Sequence, residues 1–154
     1  MPAPVTVTID VAQDREVVFD FLDVMANHEP FNDHLMTDWS FSGPPSGLGS
    51  CATVHTRALG QRDQVDIEVV EVQRPSRIVE RNHARGAGRT GQGTYTLEAL
   101  AEGGTRIHFE YRWLVAPLVD RLTSPLARAF IRRNNDTAMR RLSAELDRRS
   151  PVPR

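Results

Sequence analysis

The apolar positions of this chain change period along its length. Val5, Val7, Ile9 and Val11 alternate with Thr6, Thr8 and Asp10, the pattern of a half-buried strand. Asp14 then stands where it can cap a helix whose apolar positions Val17, Val18, Phe21, Leu22 and Met25 recur at helical spacing. Pro30 interrupts that helix, and Phe31 to Leu35 predicts a second short helical turn. Strand and turn patterns follow. Thr37 to Ser42 carries Trp39 and Phe41 on one face, and Gly43 to Gly49 is a turn by composition. Four strand-like runs come next, at Ala52–Ala58, Asp63–Val72, Arg77–His83 and Thr94–Leu100. Within the second, Val65, Ile67 and Val69 share one parity while Val70 and Val72 take the other, which predicts a bulge near Val69. Glu102-Gly103-Gly104 makes a hairpin into the final strand, where Ile107, Phe109, Tyr111 and Trp113 oppose Arg106, His108, Glu110 and Arg112. That aromatic face is expected to point inward.

The period then changes for the last time. A helix is predicted over Pro117 to Arg148, with Leu118, Leu122, Leu126, Phe130, Ala138, Leu142 and Leu146 forming one stripe and Asn134 in line among them. Ser124-Pro125 kinks it or separates a leading turn. At ~1.5 Å per residue the part after the proline reaches ~35 Å, enough to cross a small sheet. The elements add up to an α+β architecture: a curved antiparallel sheet closed by one long C-terminal helix, an arrangement suited to enclosing a small apolar molecule. Residues 1–150 are read as a single domain and 151–154 as a frayed tail.

Composition narrows the functional classes. The net charge of -1 speaks against a generally basic nucleic-acid surface. Eight arginines stand against four acids between Pro117 and Arg149, but Arg132-Arg133, Arg140-Arg141 and Arg148-Arg149 recur as the solvated face opposite the leucine stripe. The single cysteine, Cys51, allows no intrachain disulfide, and no apolar run approaches the ~20 residues that span a bilayer. With no secretory signal in its first residues, the chain is expected to be cytoplasmic, without stable membrane insertion, and a monomer or weak dimer. All 19 basic residues are arginine, a codon bias expected of a GC-rich, for instance actinobacterial, genome.

Several conspicuous motifs carry no site. Gly86-Ala87-Gly88-Arg89-Thr90-Gly91 matches a dinucleotide-binding fingerprint, but a strand follows where a helix is required, so it is read as a flexible hairpin at a cavity rim. His28-Glu29 and Asp33-His34 offer metal-ligand residue types without a helical i, i+4 histidine pair, so no metal site is assigned. Cys51 and His55 share a strand face ~13 Å apart, too far for a nucleophile and its base.

The opening strand and helix, Gly47-Leu48-Gly49-Ser50, Leu59-Gly60, the run from Val69 through Gln73-Arg74-Pro75-Ser76-Arg77 to Val79, Gly103-Gly104-Thr105-Arg106-Ile107 and the terminal helix together resemble the START/birch-pollen-allergen-like (SRPBCC) superfamily and its bacterial polyketide cyclase/dehydrase-like group. The resemblance implies a helix-grip fold: seven antiparallel strands around the C-terminal helix, two small helices closing one end, and an apolar cavity between. It also implies a hydrophobic partner of the polyketide, lipid or sterol class and no cofactor. Three roles follow from it: a carrier or cyclase-like binder, a self-resistance protein that sequesters a reactive natural product such as an enediyne, and an aromatase/cyclase enzyme.

Enzymatic members of that kind place an arginine inside the cavity, where it polarises a poly-β-ketone. The strand ending Val69-Val70-Glu71-Val72 lacks one, which leaves Arg57 or Arg81, with His55 or His83 as a base, for a catalytic reading. The expected cavity residues are Trp39, Phe41, His55, Phe109, Tyr111, Trp113, Phe130, Asn134 and Ala138. Large aromatics give ring faces to a flat ligand, and an amide on an apolar helix face must find a hydrogen bond.

Overall fold

The computed structural model describes residues 1–58 and 60–153. Leu59, part of the resemblance above, and Arg154 of the tail lie outside the described residues. Strand β1 (Val5–Val11) is followed by α1 (Arg15–Asp23), a 3-10 turn (Met25–His28) and α2 (Glu29–Asn32). Strands β2 (Met36–Ser42), β3 (Cys51–Ala58), β4 (Gln61–Gln73), β5 (Arg77–Ala84), β6 (Arg89–Ala99) and β7 (Thr105–Val115) lead to α3 (Leu118–Leu122) and α4 (Ser124–Arg149). The strands form one antiparallel sheet in the order β1-β7-β6-β5-β4-β3-β2. Two small helices after β1 and a long helix at the end complete an α+β helix-grip fold.

Alternation decides which face of the sheet meets the helices. On β7, Ile107, Phe109 and Trp113 are buried while Arg106, His108, Glu110 and Arg112 alternate toward solvent. The ladder carries this inner face across β6 through Gly91, Gly93, Tyr95 and Leu97 and across β5 through Ile78, Glu80, Asn82 and Ala84. It continues over β4 through Val65, Ile67 and Val69. The register shifts between Val69 and Glu71, the bulge that the change of parity predicts. Pro125 sits in the first turn of α4, and Thr123 separates α3 from it. Asp14 occupies the N-cap of α1 through its carbonyl, which accepts from the Val18 N–H at 3.0 Å, and its side chain makes no capping bond.

Two expectations need correction. The segment Gly86–Gly91 is not a flexible hairpin throughout: β6 begins at Arg89, and the turn is confined to Arg85–Gly88. Asp63 fastens that turn by accepting the Gly86 N–H at 2.7 Å and the Ala87 N–H at 3.0 Å. Gly91 and Gly93 serve packing. A Cβ on Gly91 would lie 2.6 Å from the Tyr111 ring, and one on Gly93 would lie 2.9 Å from Phe109 Cζ.

The second correction concerns the helix stripe. Leu118, Leu122 and Leu126 are exposed at 69%, 75% and 72%, and Phe130 is half-buried. Steps of four overshoot 3.6 residues per turn, so at about 100° per residue Leu126 lies about 160° around the helix from Leu142. The stripe that faces the sheet runs through Ala127, Ile131, Asn135, Ala138, Leu142 and Leu146.

Candidate functional site

The interior between α4 and the sheet is built mainly by β7 and β6. Tyr95 and Phe109 pack with ring centroids 4.6 Å apart, and Tyr111 meets Trp113 edge-on at 4.9 Å. The opposing glycines leave room for these rings to lie across β6. Burial drives the Tyr111 hydroxyl up to about 12, with the Arg89 cation opposing and the Asp120 carboxylate adding to the shift. Trp113 donates its indole N–H to Asp120 at 2.9 Å. Asp120 also receives the Arg89 fork at 2.5 and 2.7 Å. Burial raises the Asp120 carboxyl, but these hydrogen bonds outweigh it and hold the group below the ordinary carboxylate range. The three residues fasten α3 to the ends of β6 and β7.

The expected site residues divide between the two faces. Phe109, Trp113 and Ala138 are buried, while Tyr111 is half-buried against the core. Trp39 and Phe41 stack at 6.0 Å on edge strand β2, with Trp39 packed against the core and Phe41 45% exposed. Asn134 is half-exposed. Its side-chain amide donates to Phe130 O at 2.9 Å, and its backbone carbonyl is 3.1 Å from His34 Nε2. Arg57 and Arg81 are exposed on the outer face, where their strand positions also place His55 and His83. His55 Nδ1 lies 3.3 Å from Asp38 Oδ2, and His83 Nδ1 is 3.1 Å from Thr90 Oγ1. These four polar candidates therefore do not join the aromatic ones.

In their place the inner face holds polar groups that sequence reasoning passed over. Glu80 and Asn82 follow Ile78 at intervals of two on β5, so parity alone assigns them to the inner face. His28, from the 3-10 turn, is buried and approaches Leu22 O with Nε2 at 2.7 Å. A carbonyl only accepts, so Nε2 carries the proton and Nδ1 faces Glu80 Oε2 at 3.8 Å. Burial pushes the Glu80 carboxyl up, with His28 opposing, and burial likewise raises the Tyr95 hydroxyl. Two surface concavities lie elsewhere. One of about 560 Å³ on the outer face includes Arg77, Thr94, His108 and Arg112. Another of about 200 Å³ includes Met25, Phe41, Pro45 and Cys51.

Residues 2–147 match the family described as polyketide cyclase / dehydrase and lipid transport. The chain belongs to this family. No curated protein matches it in sequence. Among solved structures it is similar to a protein from Thermus thermophilus, TTHA0849, at 14% identity and a TM-score of 0.73, covering 96% of this chain and 99% of that one. The KanY protein aligns at 13% identity and a TM-score of 0.75 over 96% and 99% of the two chains. DynU16, from the dynemicin biosynthetic locus, aligns at 21% identity and a TM-score of 0.66 over 94% of this chain, which spans only 47% of it. At these identities the structural likeness establishes the shared helix-grip fold of the polyketide cyclase/dehydrase family member.

Proposed function

We propose that this family member encloses a hydrophobic, polyketide-sized molecule between the aromatic inner face of β7 and α4, as a carrier or cyclase-like binder. Family membership over residues 2–147 is the observation that carries this reading. The inward rings of Phe109, Tyr111 and Trp113 support it, because flat apolar ligands gain ~25 cal/mol for each Å² buried against such faces. Binding then rests on shape and a few polar groups, with no cofactor. A panel of aromatic polyketides and sterols tests the reading by thermal shift. A ligand at about 100 times its Kd adds ~2.7 kcal/mol by mass action and raises Tm. A Tm unmoved by every member of the panel overturns the proposal.

A second reading, turnover as a cyclase, is favoured by the buried Glu80–His28 pair, an acid and a base that share the interior. Incubation with a poly-β-ketone separates the two: ring-closed products lost in Glu80→Gln support catalysis, and unchanged substrate points to carriage alone.

A further inference from the structure

Six described side-chain atoms are buried without a hydrogen-bond partner, and three of them belong to the interior: Glu80 Oε2, Asn82 Oδ1 and Asn135 Nδ2. The other three, on Gln13, Arg15 and His55, are scattered over the connection after β1, the start of α1 and the outer face. The interior set has a chemical order. Glu80 and Asn82 stand two residues apart on β5, about 6.6 Å along the strand. Asn82 Oδ1 is an acceptor, and the Glu80 carboxyl keeps acceptor capacity in either protonation state; both residues lie on the inner side. Their partners across the ladder are Gly93 and Gly91, which have no side chain with which to answer them. From α4 comes the third group, a donor, on the stripe that faces the sheet.

An orphaned buried polar group destabilises the fold, because it has lost its water without gaining a partner. A core that served packing alone would hold leucine at position 80. His28 does not remove the cost, since its 3.8 Å approach to Oε2 is longer than a hydrogen bond. Glu80 is only 6% exposed, yet its Oε2 is left unpartnered.

We propose that Glu80 and Asn82 are the hydrogen-bonding floor of the ligand site, and that the ligand presents hydroxyl groups to them, as an enol or phenol does, and a carbonyl to Asn135. The inference rests on the interior-binding reading above and sharpens its ligand class, from any apolar molecule to a hydroxylated, carbonyl-bearing one. A hydrocarbon chain leaves all three groups orphaned, and a sterol ester answers only Asn135, so both are disfavoured by the site.

The test compares 2,6-dihydroxyanthraquinone with its dimethyl ether by titration calorimetry on the full chain. The diol is expected to bind at least about tenfold more tightly than the ether, because only it donates. In Glu80→Leu that ratio is expected to fall toward one while the ether keeps its affinity, and Tm is expected to rise. Glu80→Gln, which keeps the shape and one acceptor, should retain an intermediate ratio if the leucine variant does not fold. Equal affinities for diol and ether in the native chain overturn this inference and leave the binding reading intact. A failure of both compounds to bind overturns both. A Glu80→Leu chain that loses stability and keeps the native ratio shows the carboxyl to be structural and overturns the inference.

Discussion

The two halves of α4 are the same helix under different rules. In the carboxyl half Ala138, Met139, Leu142 and Leu146 are all under 5% exposed and belong to the main core with β4 to β7. Toward the amino end only small or branched residues, Ala127 and Ile131, pack on a separate cluster of Val5, Trp113 and Ala116, and Leu126 projects into solvent. The carboxyl half is held by apolar burial. The amino half depends more on polar fasteners: Arg128 donates to the carbonyls of Ala3 and Pro4, and the Arg89–Asp120–Trp113 group pins α3, which leads into it. Few buried contacts and solvent-facing bonds mark a low-stability end, the kind from which ligand-admitting motions are drawn.

Leu142→Ala is the largest expected break in this comparison. The side chain is 0% exposed, so truncation loses transfer energy and leaves a cavity, at a cost of about 3–4 kcal/mol. Chemical denaturation reads it directly, and a loss under about 1 kcal/mol would mean that the carboxyl half is not the anchor. Asp120→Ala comes next. It strands a buried indole N–H and a half-exposed guanidinium, for about 2 kcal/mol once solvent access to Arg89 is allowed for. The pH dependence has a definite sign. The native carboxyl titrates below its unfolded value, so its contribution is present above that value and is lost as pH falls through the native one. Stability of the native chain therefore drops more steeply into acid than that of Asp120→Ala, and parallel acid limbs would count against the fastening role. Gly91→Ala follows, at about 1–2 kcal/mol, because the new methyl meets the Tyr111 ring and must displace it. Near-ultraviolet circular dichroism should report the displaced tyrosine, and an unchanged aromatic signal would show that β6 does not set that wall.

Much of this is legible in the sequence, and the boundary of legibility is physical. The period of two on β7 is strict because every other residue faces the core, so the aromatic face can be read directly. The β4 bulge is visible for the same reason, since one extra residue reverses parity. The helix stripe misleads because a four-residue repeat looks regular in sequence but rotates about 40° per step. Asn134 thus takes in the sequence the place that Asn135 holds in the fold. Glu80 and Asn82 are easily passed over as polar residues, although their parity with Ile78 and Ala84 already sets them inside. The same parity sets Arg81 and His83 outside, and Ala52, Val54 and Ala58 on the other parity of β3 do so for His55 and Arg57.

The smallest predicted effect is the sharpest test of the contrast. Leu122→Gln and Leu126→Gln each replace a side chain that is more than 70% exposed, and glutamine matches leucine closely in helix propensity. Each should change unfolding free energy by less than about 0.5 kcal/mol. If the stripe read from the sequence were the buried one, each would instead cost what a core leucine costs, several-fold more. Equilibrium denaturation of these two variants beside Leu142→Ala thus measures the rotation of the helix itself. A loss at Leu126 comparable with that at Leu142 would require the amino half of α4 to turn its leucine face onto the sheet in solution, and the two halves would then be one continuous anchor.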